Sequence, residues 1–299
     1  MPFLFEKTNY LGEDCAEITG FTSEAVNLTI PDAIEGLPVR SIGKHAFAAR
    51  RDLQEVSLPP GLKRLCRFAF HNCGNLRKIR LYDSVEDYYD GAIRQCGALN
   101  EFELATSGNS YALMKELLED NDHAVSFRLV LPAEEICLSF PAYALIASEN
   151  TMARTIQFAY EGGGYAYRQC VRKKEIRFRE YDRLFPFVEH DDPSFAAVIA
   201  ADRLLYPHDL DAPAEERYTD FLKAHASQAL ERFIRSSRID RVRLITQREL
   251  ADDEAISAAL ETASQRKETA ICAVRMESGR RMKEKSGVPQ ALSLELDDW

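Results

Sequence analysis

Two histidines and two cysteines lie within thirty residues of one another near the N-terminus: His45, Cys66, His71 and Cys73. Side chains of these types bind zinc when four of them converge, usually from C-x₂₋₄-C and H-x₃₋₅-H pairs. Here His71 and Cys73 are two apart and Cys66 is seven from Cys73, so neither pair has ligand spacing. Cys73 instead has an echo in Cys96, 23 residues further on. A small thiol packs well among apolar side chains. The cluster therefore reads as structural, and no metal and no cofactor are expected.

Other stretches invite chemistry in the same way. SIGKHAF (41–47) contains a Gly-Lys pair, but a phosphate-binding loop needs G-x-x-x-x-G-K-[ST]. His45 stands where Ser or Thr is required, and Pro38 where the first glycine would be. EGGGYAYRQC (161–170) follows a stretch, Pro141 to Tyr160, that reads as a helix, so its glycines are expected to terminate that helix. The basic RKKEIRFR (172–179) is expected to be a solvated helix face. EHDD (189–192) and PHDLD (207–211) place carboxylates beside His190 and His208. Each precedes a proline, Pro193 or Pro213, that opens a helix, which is N-cap chemistry. An enzyme reading would rest on His190, Asp191 and His208, and metal analysis would discriminate it. No G-x-S-x-G or H-E-x-x-H motif is present.

The elements that hold these residues are legible in a repeat. Leu53, Val56 and Leu58 recur as Leu76, Ile79 and Leu81, and again as Leu99, Phe102 and Leu104, each 23 residues on. Intervening positions keep step: Ile42, Leu65 and Tyr88; Ala46, Ala69 and Ala92; Phe47, Phe70 and Ile93. An earlier set, Ala25, Leu28 and Ile30, precedes the Leu53 set by 28 residues, with the extra five assigned to EGLPV (35–39). Each L-x-x-L-x-L is expected to be a short strand with alternate side chains inward. A single rung cannot bury its apolar face, so the rungs must stack as a solenoid with capped ends. Residues 3–20 are the expected N-terminal cap. A helix is expected over 111–119, followed by degenerate last rungs at Leu129 with Leu131 and Leu138 with Phe140.

The stretch EITGF…LTIPDAIEGLPVRSIGKHAF, followed by LQEVSLPPGLKRLCRFAFHNCGNLRKIRL, resembles the BspA-type (treponemal-type) leucine-rich repeat family over about residues 10–105. The matching features are Ile30-Pro31, Ile42-Gly43, Ala46-Phe47, Ala69-Phe70, Cys73, Cys96 and Leu76. The resemblance implies a bacterial protein that binds other proteins, in a family many of whose members are secreted adhesins.

Composition sets bounds on partner and compartment. The chain is 45% hydrophobic and 29% charged, which is normal for a folded soluble protein. A net charge of −10 argues against nucleic acid as partner. The longest wholly apolar run, FAAVIAA (195–201), is too short for membrane insertion. The start MPFLFEKTNYLGED has no basic n-region, and seven cysteines make no disulfide framework, so the cytoplasm is the expected compartment. A secreted or surface adhesin would need a leader segment.

From Phe140 onward the spacing turns helical. Helices are expected in YDRLFPFVEH, PSFAAVIAADRLLYP, APAEERYTDFLKAHASQALERFI, IDRVRLITQREL, DDEAISAALETASQRKE and ETAICAVRMES, with a polar tail after Ser278. The expected fold class is thus α+β. It comprises a leucine-rich-repeat domain with its cap (1–140) and an all-α helical-hairpin domain of ankyrin- or HEAT-like character (141–299). Such a chain is expected to be a bacterial protein-interaction scaffold or adaptor rather than an enzyme, with a protein partner. The residues expected to meet it alternate with the inward leucines on the concave side. They are Glu55, Ser57, Lys78, Arg80, Glu101 and Glu103, with Tyr82 as a nearby anchor.

Overall fold

A computed structural model describes residues 2–150 and 155–265 of the chain. The helix expected over 268–278, Cys272 and the tail after Ser278 lie outside the described residues. The chain divides into two compact units, Met1–Glu216 and Arg217–Trp299.

The first unit opens with a hairpin of β1 (Phe3–Tyr10) and β2 (Glu13–Phe21). Two sets of strands then alternate along the chain. They are β3 (Asn27–Thr29), β4 (Ala33–Ile34), β5 (Leu37–Ile42), β6 (Glu55–Ser57), β7 (Arg64–Leu65), β8 (Lys78–Tyr82), β9 (Asp87–Tyr88) and β10 (Glu101–Ala105). Helix α1 (Ala112–Glu119), β11 (Val125–Val130), β12 (Glu135–Phe140) and a hairpin of β13 (Ala144–Asn150) and β14 (Thr155–Glu161) follow. Four helices, α2 (Gly164–Gln169), α3 (Phe178–Arg183), α4 (Phe185–Asp191) and α5 (Pro193–Leu205), continue the unit.

The repeat period appears directly as strand register. In the rung sheet, ordered β12-β11-β10-β8-β6-β3, Val56 faces Ile79, Ile79 faces Phe102 and Phe102 faces Phe127. In the second sheet, Ile42 faces Leu65 and Leu65 faces Tyr88. The loops join in too: Phe47 N–H donates to Ala69 O and Phe70 N–H to Ala92 O, both at 2.8 Å. Between the sheets the Phe47 and Phe70 rings stack with centroids 5.0 Å apart. The five extra residues before the Leu53 set form the tight β4–β5 hairpin, with Ala33 facing Pro38.

The opening cluster is dispersed by this geometry. Cys73 and Cys96 are buried, and their thiols donate to Phe47 O and Phe70 O, each at 3.0 Å. His45 is exposed and stacks on Phe68, which His71 meets edge-on. His45, Phe68 and Gly91 share a left-handed turn position, with φ of 58°, 59° and 78°. At Gly91 a Cβ would come within 2.9 Å of the Phe68 ring, so glycine fits there for space, and it takes the left-handed φ more readily than His45 or Phe68. Among the described residues, no group of three or more His, Cys, Asp or Glu side chains could hold a metal ion.

The rungs are closed differently at each end. At the N-terminal end β2 pairs parallel with β5, so the β1–β2 hairpin joins the second sheet. Arg50 ties the link to the first rung by donating to Phe21 O and Ser23 O, while Asp52 accepts from Ala25 N–H at 2.9 Å. At the other end α1 falls where expected and Leu129 faces Leu104. Leu138 and Phe140, however, lie on β12, which runs antiparallel to β11 and faces Phe127 and Val125. The second degenerate rung is therefore a return strand, because only a short turn separates it from β11.

The all-α reading of 141–299 needs correction at its start. Residues expected as a helix from Pro141 form the β13–β14 hairpin, with Ala144 facing Glu161. The run LIASEN/TIQFAY is rich in apolar and β-branched residues, and pairing overrides the helical spacing read from it. The glycines after it consequently do not terminate a helix. Gly164 begins α2 so close to the preceding chain that a Cβ would meet Pro141 O at 2.1 Å. RKKEIRFR is not a helix face either: Val171 bridges Ile176 across an exposed turn. The N-cap readings hold, since Asp192 accepts from Phe195 N–H at 2.9 Å and Asp211 from Ala214 N–H at 3.0 Å.

Helix α6 (Ala212–Ala224) leads into the second unit, where α7 (Ala226–Arg235) packs against α8 (Ile239–Gln247) and α9 (Asp253–Gln265). The single helix expected over 212–234 breaks at His225, whose ring lies on Phe221 with centroids 4.3 Å apart. Among the described residues no helix is long and apolar enough to cross a membrane.

Two polar anchors yield predictions. The Arg50 guanidinium holds the Asp52 carboxyl below the usual carboxylate range, outweighing the upward push of burial. A depressed carboxyl contributes stability that is present above its unfolded value near pH 4 and lost as the pH falls through its folded value. Asp52→Asn is expected to cost about 1 kcal/mol at neutral pH, and urea titrations should show the gap to wild type holding above about pH 5 and narrowing steadily as the pH falls below about 4 toward the depressed folded value. Arg168 is buried and donates to four backbone carbonyls: Asn121, His123, Pro141 and Gly164. Burial pushes its guanidinium down to about 10. Lysine cannot reproduce that fan of donors, so Arg168→Lys should lower denaturation free energy by roughly 2–3 kcal/mol.

Candidate interaction surface

The rung sheet buries one face and exposes the other, because successive side chains on a strand point to opposite sides. Val56, Ile79, Leu81, Phe102 and Leu104 are each at most 3% exposed, so the residues between them must face outward. In-register pairing arranges these outward residues in rows across the strands. One row runs Asn27, Glu55, Lys78, Glu101 and Ser126, and the next Thr29, Ser57, Arg80, Glu103 and Arg128. Tyr82 ends β8, half-buried beside Ala105. All seven residues expected on the interaction face thus lie on this side of the sheet.

Their charges do not simply alternate from rung to rung. Lys78 Nζ reaches across to Glu103 Oε2 at 2.9 Å, and Arg80 Nε to Glu103 Oε1 at 3.1 Å. Partial burial pushes the Glu103 carboxyl up, but Lys78, Arg80 and Arg128 outweigh it and hold the group below its usual range. The structure therefore brings Lys78, Arg80 and Glu103 together, while Glu55 stays exposed and Ser57 half-buried on the neighbouring strand.

Arg128 escaped the sequence reading. It faces Glu103 across 25 residues rather than 23, because α1 occupies the return path and lengthens that repeat. A signal was available: Arg128 sits between Phe127 and Leu129, both inward. Arg128 donates to Glu135 Oε2 on β12 through Nε at 3.0 Å and Nη2 at 2.6 Å.

Beyond Arg128 the open face ends. On β12 both sides are covered, and Ser139 is fully buried. Its hydroxyl donates to Asp202 Oδ2 of α5 at 2.7 Å and so must accept from Ser126 Oγ, also at 2.7 Å. Tyr181 of α3 donates to Ser139 O at 2.6 Å and accepts from Ser139 N–H at 3.1 Å. Behind this contact Arg203 and Asp182 pair through two bonds, at 2.8 and 2.9 Å, with the guanidinium fully buried. Helices α3 and α5 thus wall off one end of the face.

The residues an enzyme reading would use are apart from this surface chemistry. His190 and Asp191 are exposed at the end of α4. His208 bonds Glu134 at 3.0 Å through Nδ1 and packs on Phe178.

Residues 22–118 match the family model of the BspA type leucine-rich repeat region in six copies. That segment is a BspA-type leucine-rich repeat region. Among solved structures, a leucine-rich repeat protein from Bacteroides ovatus is 23% identical, with a TM-score of 0.28. The match covers 36% of this chain and 31% of that one, so this chain spans about a third of its length. A Treponema pallidum leucine-rich repeat protein is also 23% identical, with a TM-score of 0.25, over 34% of this chain and 69% of that one. A search of curated proteins returns no match.

The contrast between wall and open face can be tested on two serines. Ser139→Ala leaves buried polar groups unpaired and should cost about 1–3 kcal/mol in chemical denaturation. Ser57→Ala on the open stretch should change stability by less than about 0.5 kcal/mol.

Proposed function

We propose that this protein is a protein-interaction scaffold or adaptor of the bacterial cytoplasm, holding its partner on the outward face of the rung sheet. One observation carries the reading: among the described residues, the in-register polar rows from β3 to β11 are exposed or half-buried, while the next strand, β12, is almost wholly buried. Repeat folds of this kind use such extended faces for binding. Glu55, Ser57, Lys78, Arg80, Tyr82, Glu101, Glu103 and Arg128 are the proposed contact residues.

In this reading residues 1–140 form the primary docking domain, and the helical remainder is a second element. Helices α6 to α9, joined by short links, are proposed as an ankyrin- or HEAT-like hairpin stack offering a second surface. The chain is proposed to act by binding rather than catalysis.

Lys78→Glu together with Arg80→Glu reverses the centre of the face without touching the core. In affinity capture from the native cell followed by mass spectrometry, the double variant should lose at least one partner that wild type retains. Retention of every partner by a variant with unchanged thermal stability would sink the rung-face reading.

A further inference from the structure

Strands at the edges of sheets carry backbone groups that another strand can take up. Among the described residues, four strands of six residues or more end a sheet: β1, β12, β13 and β14. Of these, β12 is almost wholly buried. The β13–β14 hairpin forms a sheet of its own, so each of its strands has an outer edge unpaired among the described residues. Two strands alone are marginally stable in water. At the base of the hairpin Leu145 faces Tyr160 and Ile146 faces Ala159. Leu145 is 54% exposed, Ile146 38% and Tyr160 48%, so apolar surface meets solvent on both faces there. The base itself is held in place, because the Tyr160 ring stacks on Tyr165 of α2 at 3.6 Å and Tyr143 leans on both.

The residues on each edge decide whether it can pair with its own copy. A two-fold axis between antiparallel copies of one strand brings the residue on the axis opposite itself. On β1 the midpoint falls at Glu6 or Lys7, so two like charges would meet. Charges at such a position defend an edge against pairing. On β13 the midpoint is Ala147, and Glu149 would then face Leu145 of the second copy. By contrast β14, TIQFAYE, has no charged residue before Glu161. With Phe158 on the axis, Ile156 faces Tyr160 of the second copy, Gln157 faces Ala159 and Thr155 faces Glu161, each pair occurring twice. All seven residues are paired and no like charges meet. Threonine, isoleucine, phenylalanine and tyrosine are also favoured strand residues.

We infer that β14 pairs antiparallel with β14 of a second copy of this chain, joining two hairpins into one four-stranded sheet and making the protein a two-fold dimer. The second hairpin supplies the backbone partners that the unpaired edge lacks, and four strands are enough for the stability that two do not have. Strand alternation places positions 156, 158 and 160 of both copies on one face, beside Leu145. This pairing uses a different sheet from the rung face and does not depend on it.

Sedimentation velocity of the full chain over a concentration series tests the dimer. Wild type is expected to sediment as a dimer that dissociates on dilution. Phe158→Lys and Phe158→Glu each set like charges on the axis and should weaken dimerisation at least about tenfold. The two variants mixed in equal amounts should dimerise again, because opposite charges then face each other. Recovery on mixing is a result that damaged folding cannot produce. A wild type that stays monomeric up to about 100 μM would leave the edge to a strand from some other protein and overturn the inference. Either variant dimerising as tightly as wild type, or a mixture no better than its components, would overturn it too.

Discussion

The first unit depends on one constraint: each rung must lay its backbone donors and acceptors on those of the next. A strand of three residues, such as β6, has too few groups to hold itself, and its hydrogen bonds are all inter-rung. A constant repeat length lets Phe47 N–H find Ala69 O and, one rung later, Phe70 N–H find Ala92 O. The same register stacks Val56, Ile79 and Phe102 into one apolar column. A shift of one residue would turn that column outward and strand the loop bonds. Even unfavourable backbone follows the register, since Phe68 adopts the left-handed turn that Gly91 takes more readily.

A stack of rungs has two unsatisfied ends, and the chain closes them by different means. At the start, a hairpin extends the second sheet, and Arg50 with Asp52 pins the link that returns to the first rung. At the finish, β12 reverses direction, and α3 and α5 lie over it. That cover is polar at its centre. Buried Ser139, Asp202, Tyr181, Asp182 and Arg203 are tolerable there because each has hydrogen-bond partners. Arg168 plays the matching part for the irregular chain around 121–123 and 141, replacing absent strand pairing with side-chain donors.

The closure gives the outward face a definite extent. It runs from the polar residues of β3 and β6 to Arg128 and stops where α5 begins to cover the sheet. Within it, ion pairs run both along and between rows: Arg80 from the same row and Lys78 from the next converge on Glu103 rather than each facing solvent alone. Exposed ion pairs contribute little stability. Their value on this face is to hold long side chains in defined positions above a sheet whose spacing is set by the backbone.

The repeat, the inward and outward alternation, the helix over 111–119 and the N-caps at Asp192 and Asp211 were all determined by the sequence alone. Each depends on contacts that recur at a fixed spacing or lie within a few residues, so a periodic or local pattern records them. The structural role of Cys73 was legible for the same reason, through its echo at Cys96. What only the tertiary structure decided lies where the period breaks. The β13–β14 hairpin, the reversal of β12 and the place of Arg128 depend on which segment pairs with which, and α1 shifts that pairing by two residues. The grip of Lys78 and Arg80 on Glu103 likewise joins residues 25 and 23 positions apart. Side chains from different rungs meet only after the strands stack, and no short-range pattern specifies which way a lysine or an arginine will then turn.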